Sequence, residues 1–409
     1  MPEPLFDLKW LIDPIGKDVF VQSHWESKPL RISREAPSYF SQLGCDDLEF
    51  LLRAACDLDR SAVEEIGDKA PRPCQDYFAA RQAFCSGKSI RIRAVSRFSD
   101  ALSIFCRALE QEFSLPVGLN AYITPPGEKA LGRHFDRHDV FVLQIAGKKR
   151  WKVYQEPLEF PLETVPRMAF EDRKDMEYHR VGRQNRERSR DEEPELLDSC
   201  TLEPGDLYYI PRGYIHEAES DSSSISYHLT AGIQAVTYIE LLTLAIARFA
   251  GTEPACRRSL PVGFATHASN SVEIGRCVAT LADKFAASIE TENALEELCQ
   301  AFFRSRRTLK AGLFDQHDNS AELSLQTVAR VRPGMLSRVV VRGEHTMIAF
   351  DYTVVEFPRS FEPVLRFISA NTRFAVGELP GDLTNENKIL LAKKLVTEGL
   401  LMVESSACV

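Results

Sequence analysis

Within "GRHFDRHDVFVLQIAGKKRW", residues 132–151, two histidines and two aspartates crowd into six positions: His134, Asp136, His138 and Asp139. On an extended chain, residues two apart face the same way, so His134 and Asp136 share a face and Phe135 points to the other. An imidazole beside a carboxylate suits a divalent transition metal, but two ligands are too few to hold one ion. Some 80 residues on, "PGDLYYIPRGYIHEAE" offers a third: "PRGYIHE" brings His216 to the start of a strand. His134, Asp136 and His216 would make two histidines and one carboxylate. That is the facial set of non-haem iron(II) oxygenases, which leaves one octahedral face open for a cosubstrate and dioxygen. HxD alone is a weak signal, since short polar pairs arise by chance. HxD, a hairpin, PGD and PxxxxH in that order form a stronger one. The competing view treats all three as bonded polar side chains of an ordinary β-domain. His138 falls on the same face, with a substrate-side, supporting or purely structural role. Asp139 points away and is expected to be structural.

An open metal face calls for a bidentate cosubstrate with a cationic anchor. Lys149 follows the turn "AGKK" and shares its strand face with Trp151. Pointing inward, it needs an anionic partner, because an unpaired buried charge is costly; a dicarboxylate would supply one. The alternative is that Lys148, Lys149 and Arg150 form an exposed basic turn. In "LNAYIT", Asn120, Tyr122 and Thr124 alternate onto one face and, with Thr230 of "SYHLTAG", are candidates to line the cosubstrate pocket.

Elements able to position these residues are legible in the pattern. Residues 117–235 consist of short β-rich segments bounded by Pro and Gly, "GLNAYITPPG", "DVFVLQIAGKKRWKVY", "CTLEPGDLYYIPRG" and "SISYHLTAGIQ", which predict antiparallel strands in a barrel or sandwich. Before them, "CDDLEFLLRAA" and "SRFSDALSIFCRALEQEF" have helical spacing. After them, a capping box at Thr237 and Glu240 opens "YIELLTLAIARFA", and two further helices run to about residue 307. From about 320, "SFEPVLRFIS" and "TNENKILLAKKLVTEG" predict helices, the second capped by Thr384 and stopped at Gly399, and "LLMVES" predicts a strand. The segment 171–195 is dense in both charges and poor in apolar residues. It is expected to be a mobile surface loop or, on a sharper reading, a lid or docking loop for a charged partner.

At 409 residues the chain needs two or three structural units. Hydrophobic content of 44% and charged content of 27% are those of a soluble globular protein. No apolar run is long enough to predict a membrane span, and "MPEPLFDLKW" lacks the basic and apolar regions of a secretory signal. Ten scattered cysteines without a CxxC pair predict reduced thiols in a cytoplasmic protein. A net charge of −9 argues against non-specific nucleic-acid binding.

Taken together, "NAYITPPG…GRHFDRHDVFVLQIAGKKRWKVY", "LEPGDLYYIPRGYIHEA" and "SYHLTAG" resemble the ribosomal oxygenases of the Jumonji-C/cupin group, enzymes dependent on iron(II) and 2-oxoglutarate. "HWESKPLRIS" resembles the segment that precedes their barrel, and "PRSFEPVLRFI…LPG…KLVTEGLL" their last domain. The resemblance implies an α+β protein. A double-stranded β-helix with a helical N-terminal part would span 1–236, a helical dimerisation region 237–319 and a winged-helix domain 320–409. It also implies that His134, Asp136 and His216 bind iron, that Lys149 binds the far carboxylate of 2-oxoglutarate, and that the target is an arginine or histidine.

Three functions compete. The first is hydroxylation of a side chain in a protein, a ribosomal one above all. The second is the same chemistry on a small molecule or a biosynthetic precursor peptide. The third is a non-catalytic cupin-like binding protein that uses its winged helix on DNA. Residues 321–409 hold ten Lys and Arg against ten Asp and Glu, without the basic excess of a DNA reader. No specific DNA binding is therefore expected, and the first reading leads, with a polypeptide partner and a homodimer.

Overall fold

The structure is a computed structural model that describes residues 6–67, 71–155, 159–161, 194–267, 270–306, 323–351 and 353–404. The charged segment 171–195, except for its last two residues, lies outside the described residues. They divide into two compact units, one from residues of 1–235 and 307–409 and the other from 236–306.

Among the described residues, eleven strands build the first part of the larger unit: β1 (Leu30–Ile32), β2 (Val63–Ile66), β3 (Arg72–Pro73), β4 (Ser89–Ile92), β5 (Val117–Thr124), β6 (Asp139–Ala146), β7 (Lys149–Tyr154), β8 (Leu196–Leu202), β9 (Leu207–Ile210), β10 (Ile215–Ser220) and β11 (Ser226–Ile233). An antiparallel eight-stranded sheet runs β1-β9-β6-β11-β5-β4-β2-β3, and a three-stranded one runs β10-β7-β8. Isolated bridges from Lys129 to Glu219 and from His134 to His216 add a fourth edge beside β10. Side-chain alternation explains the layering. Val140, Val142, Tyr208 and Ile210 of the large sheet pack on Trp151, Val153, Cys200 and Leu202 of the small one. Their neighbours Phe141, Leu143, Leu207 and Tyr209 point the other way, into a core shared with Phe20, Phe105 and Leu109 of the preceding helices. Seven of the eight residues of β6 are buried, which is why "DVFVLQI" reads as a run rather than an alternation. Truncating Phe141 to Ala would cost about 3–5 kcal/mol.

The helix Asp100–Phe113 is capped by Ser99 and backs this sheet through Leu102, Phe105 and Leu109. In the same unit, residues 323–404 form a meander (Ser337–Arg342, His345–Phe350, Thr353–Pro358), a small sheet (Arg373–Ala375, Val328–Val331, Leu401–Val403) and the helices Glu362–Ala370 and Asn385–Thr397. Thr384 caps the last helix by accepting from the Asn387 N–H, and Gly399 follows it at φ 88°. The meander lacks a strong sequence signal and was not expected. Its buried Asp351 lies 3.8 Å from Arg107 on the barrel side, and Arg107 also bonds Glu110 at 3.1 Å. The other unit holds the expected helices Tyr238–Thr252, Asn270–Ser288 and Thr291–Arg304, the first opened by the Thr237/Glu240 capping box.

Candidate active site

The ligand-bearing segment departs from expectation. Residues 131–138 do not run as a strand; β6 begins only at Asp139. Alternation therefore does not aim His134 and Asp136. Backbone bonds to β10 and to the loop before it do so instead: His134 N–H donates to His216 O at 3.1 Å, His216 N–H to His134 O at 2.7 Å, and Gly213 N–H to Asp136 O at 2.9 Å. These three bonds draw two segments some 80 residues apart in sequence into one cluster. The metal-binding atoms of His134, Asp136 and His216 lie within 4.8 Å of one another, with His216 Nε2 3.6 Å from Asp136 Oδ2. Each histidine is oriented through Nδ1, 2.7 Å from Gly132 O and 3.1 Å from Tyr214 O respectively. With Nδ1–H donating to a carbonyl, Nε2 is left unprotonated as a ligand. Burial lowers the pKa of His216 to about 4, against the pull of Asp136, so its imidazole is held neutral.

Asp139 points away from the cluster and accepts from the Tyr209 hydroxyl at 2.6 Å. Its other oxygen is buried without a bond, and burial raises its pKa to about 6. The His138 ring approaches Gly232 closely; a Cβ there would stand 2.6 Å from His138 Cδ2.

Lys149 opens β7 from a turn whose Gly147 has φ 63° and leaves no room for a Cβ, which would lie 1.9 Å from Ile225 O. The lysine is buried, points inward beside Trp151 and donates to Thr124 Oγ1 at 2.8 Å. Burial alone lowers its pKa to about 7. Lys148, by contrast, is a surface residue paired with Glu203. Tyr122, Lys149, Trp151, His228 and Thr230 line one pocket with the three clustered residues, under an apolar wall of Val140 and Val142. Asn120, expected here, lines a second cavity instead; Thr230 belongs to both.

The sequence reading missed His228 and the polar role of Trp151. His228 stacks on Tyr122 with ring centroids 5.1 Å apart and meets Trp151 edge-on at 5.6 Å. Its Nδ1 and the Trp151 Nε1 are buried without a protein partner. The signal was available, since His228 and Thr230 are two apart on β11 and face the same way.

Residues 93–241, which carry the clustered residues and their pocket, match the JmjC domain. The chain's likeness is to ribosomal oxygenases. It is 30% identical over 250 residues to the bifunctional lysine-specific demethylase and histidyl-hydroxylase NO66 of Drosophila willistoni, covering 58% of this chain and 30% of that one. To ribosomal oxygenase 1 of Rattus norvegicus it is 32% identical over 239 residues, covering 54% and 36%. The chain thus spans about a third of the length of the curated relatives it matches first. Its fold matches the ycfD structure of E. coli with a TM-score of 0.54 at 18% identity, over 95% of this chain and 98% of that one. The structure of the ribosomal oxygenase YcfD with cobalt and 2-oxoglutarate matches with a TM-score of 0.55 at 15% identity, over 96% and 99%. Among the described residues, no helix is long and apolar enough to cross a membrane.

Proposed function

We propose that this chain is an iron(II)- and 2-oxoglutarate-dependent oxygenase that hydroxylates an arginine or histidine side chain of a ribosomal protein. One juxtaposition carries the reading: the two-histidine, one-carboxylate cluster shares a pocket with a buried lysine whose hydrogen bond is to a hydroxyl, not to an anion. The donor set fits iron(II), and the cation fits the far carboxylate of a dicarboxylate. The names of the relatives, histidyl-hydroxylase and ribosomal oxygenase, point to the same chemistry.

His134, Asp136 and His216 would hold the metal. When bound, it supplies the oxidising power that couples splitting of dioxygen to conversion of 2-oxoglutarate into succinate and carbon dioxide, one oxygen atom entering the substrate C–H bond. The chain's own part is positioning. Lys149, steadied by Thr124, would bind the far carboxylate; Tyr122 and Thr230 line the same pocket. Val140, Val142 and Trp151 keep water from the buried charge. Purified protein with iron(II), 2-oxoglutarate and ribosomal proteins should give a +16 Da product (one added oxygen), with one succinate per event. Modification of only a free amino acid or a precursor peptide would replace the ribosomal target. Absence of succinate in every assay would overturn the oxygenase.

The same reading includes a cytoplasmic homodimer. Tyr238, Leu242 and Ile246 fall four apart on one helix face and are exposed, as are Val272 and Val278. Residues 237–319 would supply that interface. Residues 320–409 would be a winged-helix domain turned to protein contacts, in keeping with their balanced charge.

A further inference from the structure

The side chains of Thr124, Tyr122, Asn120 and Gly118 on β5 form one row, and those of His228, Thr230 and Gly232 on β11 another, with Asn120 opposite Thr230 and Gly118 opposite Gly232. Along these rows the order is Lys149 at Thr124, then the pocket of the three clustered residues, then Thr230 as a shared wall, then the second cavity. The second cavity therefore lies at the other end of the rows from Lys149. It is also roomier, about 320 Å³ against about 50 Å³.

Its polar wall is uneven. Two of its acceptor side chains are engaged: Asp59 takes the Ser61 N–H, the Ser61 hydroxyl and Arg97, and Asn120 Oδ1 takes the Ala94 N–H at 3.0 Å. The donors are not. Arg97 spends one nitrogen on Asp59, and Arg93 has one contact with Glu64, at 3.3 Å. Both arginine side chains are about half exposed, 57% for Arg93 and 49% for Arg97. The floor is kept open by Gly232, where a Cβ would collide with the His138 ring.

From this surplus of donors we propose that the cavity seats an acidic side chain of the polypeptide substrate, next in sequence to the residue presented to the metal. Arg93 and Arg97 bond its carboxylate, and the His138 ring against Gly232 sets the width of the slot. The inference rests on the reading of the substrate as a polypeptide. It is local in nature: an overall charge of −9 attracts a basic partner, while this cavity selects an acidic residue within it.

An array of synthetic peptides tests this, with arginine or histidine at the centre and every residue type at the four positions on each side. Full-length protein loaded with manganese(II) and 2-oxoglutarate is the probe, and binding is read by fluorescence. Aspartate or glutamate at one or two positions should tighten binding about ten-fold, as a charge-assisted pair does. Arg93→Gln with Arg97→Gln should erase that preference. Gly232→Ala should weaken all peptides, and adding His138→Ala should restore them. No acidic preference, or one that survives the double arginine change, overturns the inference. Succinate formation with iron(II) and no peptide is measured in parallel. If succinate forms, with or without peptide, and no acidic preference is seen, this inference alone fails; if it is absent with every peptide and with ribosomal proteins, the oxygenase reading fails as well.

Discussion

The barrel and the helical unit 236–306 carry opposite surpluses. Inside the barrel, His228 Nδ1 and Trp151 Nε1 are buried without a protein partner, in one pocket with Lys149, whose hydrogen bond is to the Thr124 hydroxyl and not to an anion. In the helices the surplus is apolar and lies outside: Tyr238 is 86% exposed, Val272 60% and Val278 58%. Buried polar atoms without partners cost about 1–3 kcal/mol each, and exposed apolar patches raise the free energy of the isolated chain. Both are tolerated where something else answers them. A barrel with polar atoms to spare suits an ion and a dicarboxylate; the exposed apolar residues of the helices are the ground on which the homodimer is proposed.

Substitutions can break this contrast. The largest effect is expected at Asp136, since removing one of three ligands leaves no facial set. Asp136→Ala should abolish succinate formation while thermal unfolding, followed by circular dichroism, stays cooperative. Lys149→Ala comes next. It should weaken 2-oxoglutarate binding by about 2–5 kcal/mol, the cost of breaking a buried charged contact, as read by calorimetry with manganese(II). On the helical side, Leu242→Asp with Ile246→Asp should turn a dimer into a 46.1 kDa monomer in light scattering, with barrel activity per chain retained at saturating cosubstrate.

Asp139 sharpens the comparison, because its buried carboxyl serves no ligand. Its folded pKa, about 6, lies above the ordinary 3.8, so the folded state prefers the protonated form. The penalty is absent below about pH 4, grows between pH 4 and 6 and is complete above that. Asp139→Asn keeps an acceptor for Tyr209 and should stabilise the protein by about 3 kcal/mol at neutral pH, converging with the unaltered chain in acid. Denaturant midpoints at pH 4 and pH 7.5 check this. The smallest effect concerns Lys149 itself. With burial lowering its pKa to about 7, a bound carboxylate must restore the proton above that pH. Cosubstrate binding at pH 8 should take up close to one proton, visible as heats that differ between buffers of unlike ionisation enthalpy. Affinity should fall by up to about ten-fold per pH unit there.

Much of the site was legible because its residues are of rare types in local order. HxD, the Gly147 turn before Lys149, and PxxxxH ending at His216 are each a short-range feature. The alternation of Asn120, Tyr122 and Thr124 survived because β5 is regular. His228 was passed over although it shares a strand face with Thr230, because its place in the site lies in ring contacts with Tyr122 and Trp151 that strand spacing does not show. The meander 337–358 escaped for a related reason: charged and apolar residues mix there without a clear period, and its pairing is decided strand by strand.

What the sequence by itself determined is the chemistry available: two imidazoles and a carboxylate, a lysine after a glycine turn, and β-segments followed by helices. Residue type and alternation depend only on covalent structure and backbone geometry, so they can be read without the fold. Tertiary structure alone decided how that chemistry is aimed. His134 and Asp136 do not sit on a strand; they are held by hydrogen bonds to His216 and Gly213 across some 80 residues. The burial of Lys149, the neutrality of His216 and the placing of Asn120 in the outer cavity depend likewise on which sheet faces which. Such properties belong to the local dielectric and the packed neighbours, and these exist only once distant segments have met.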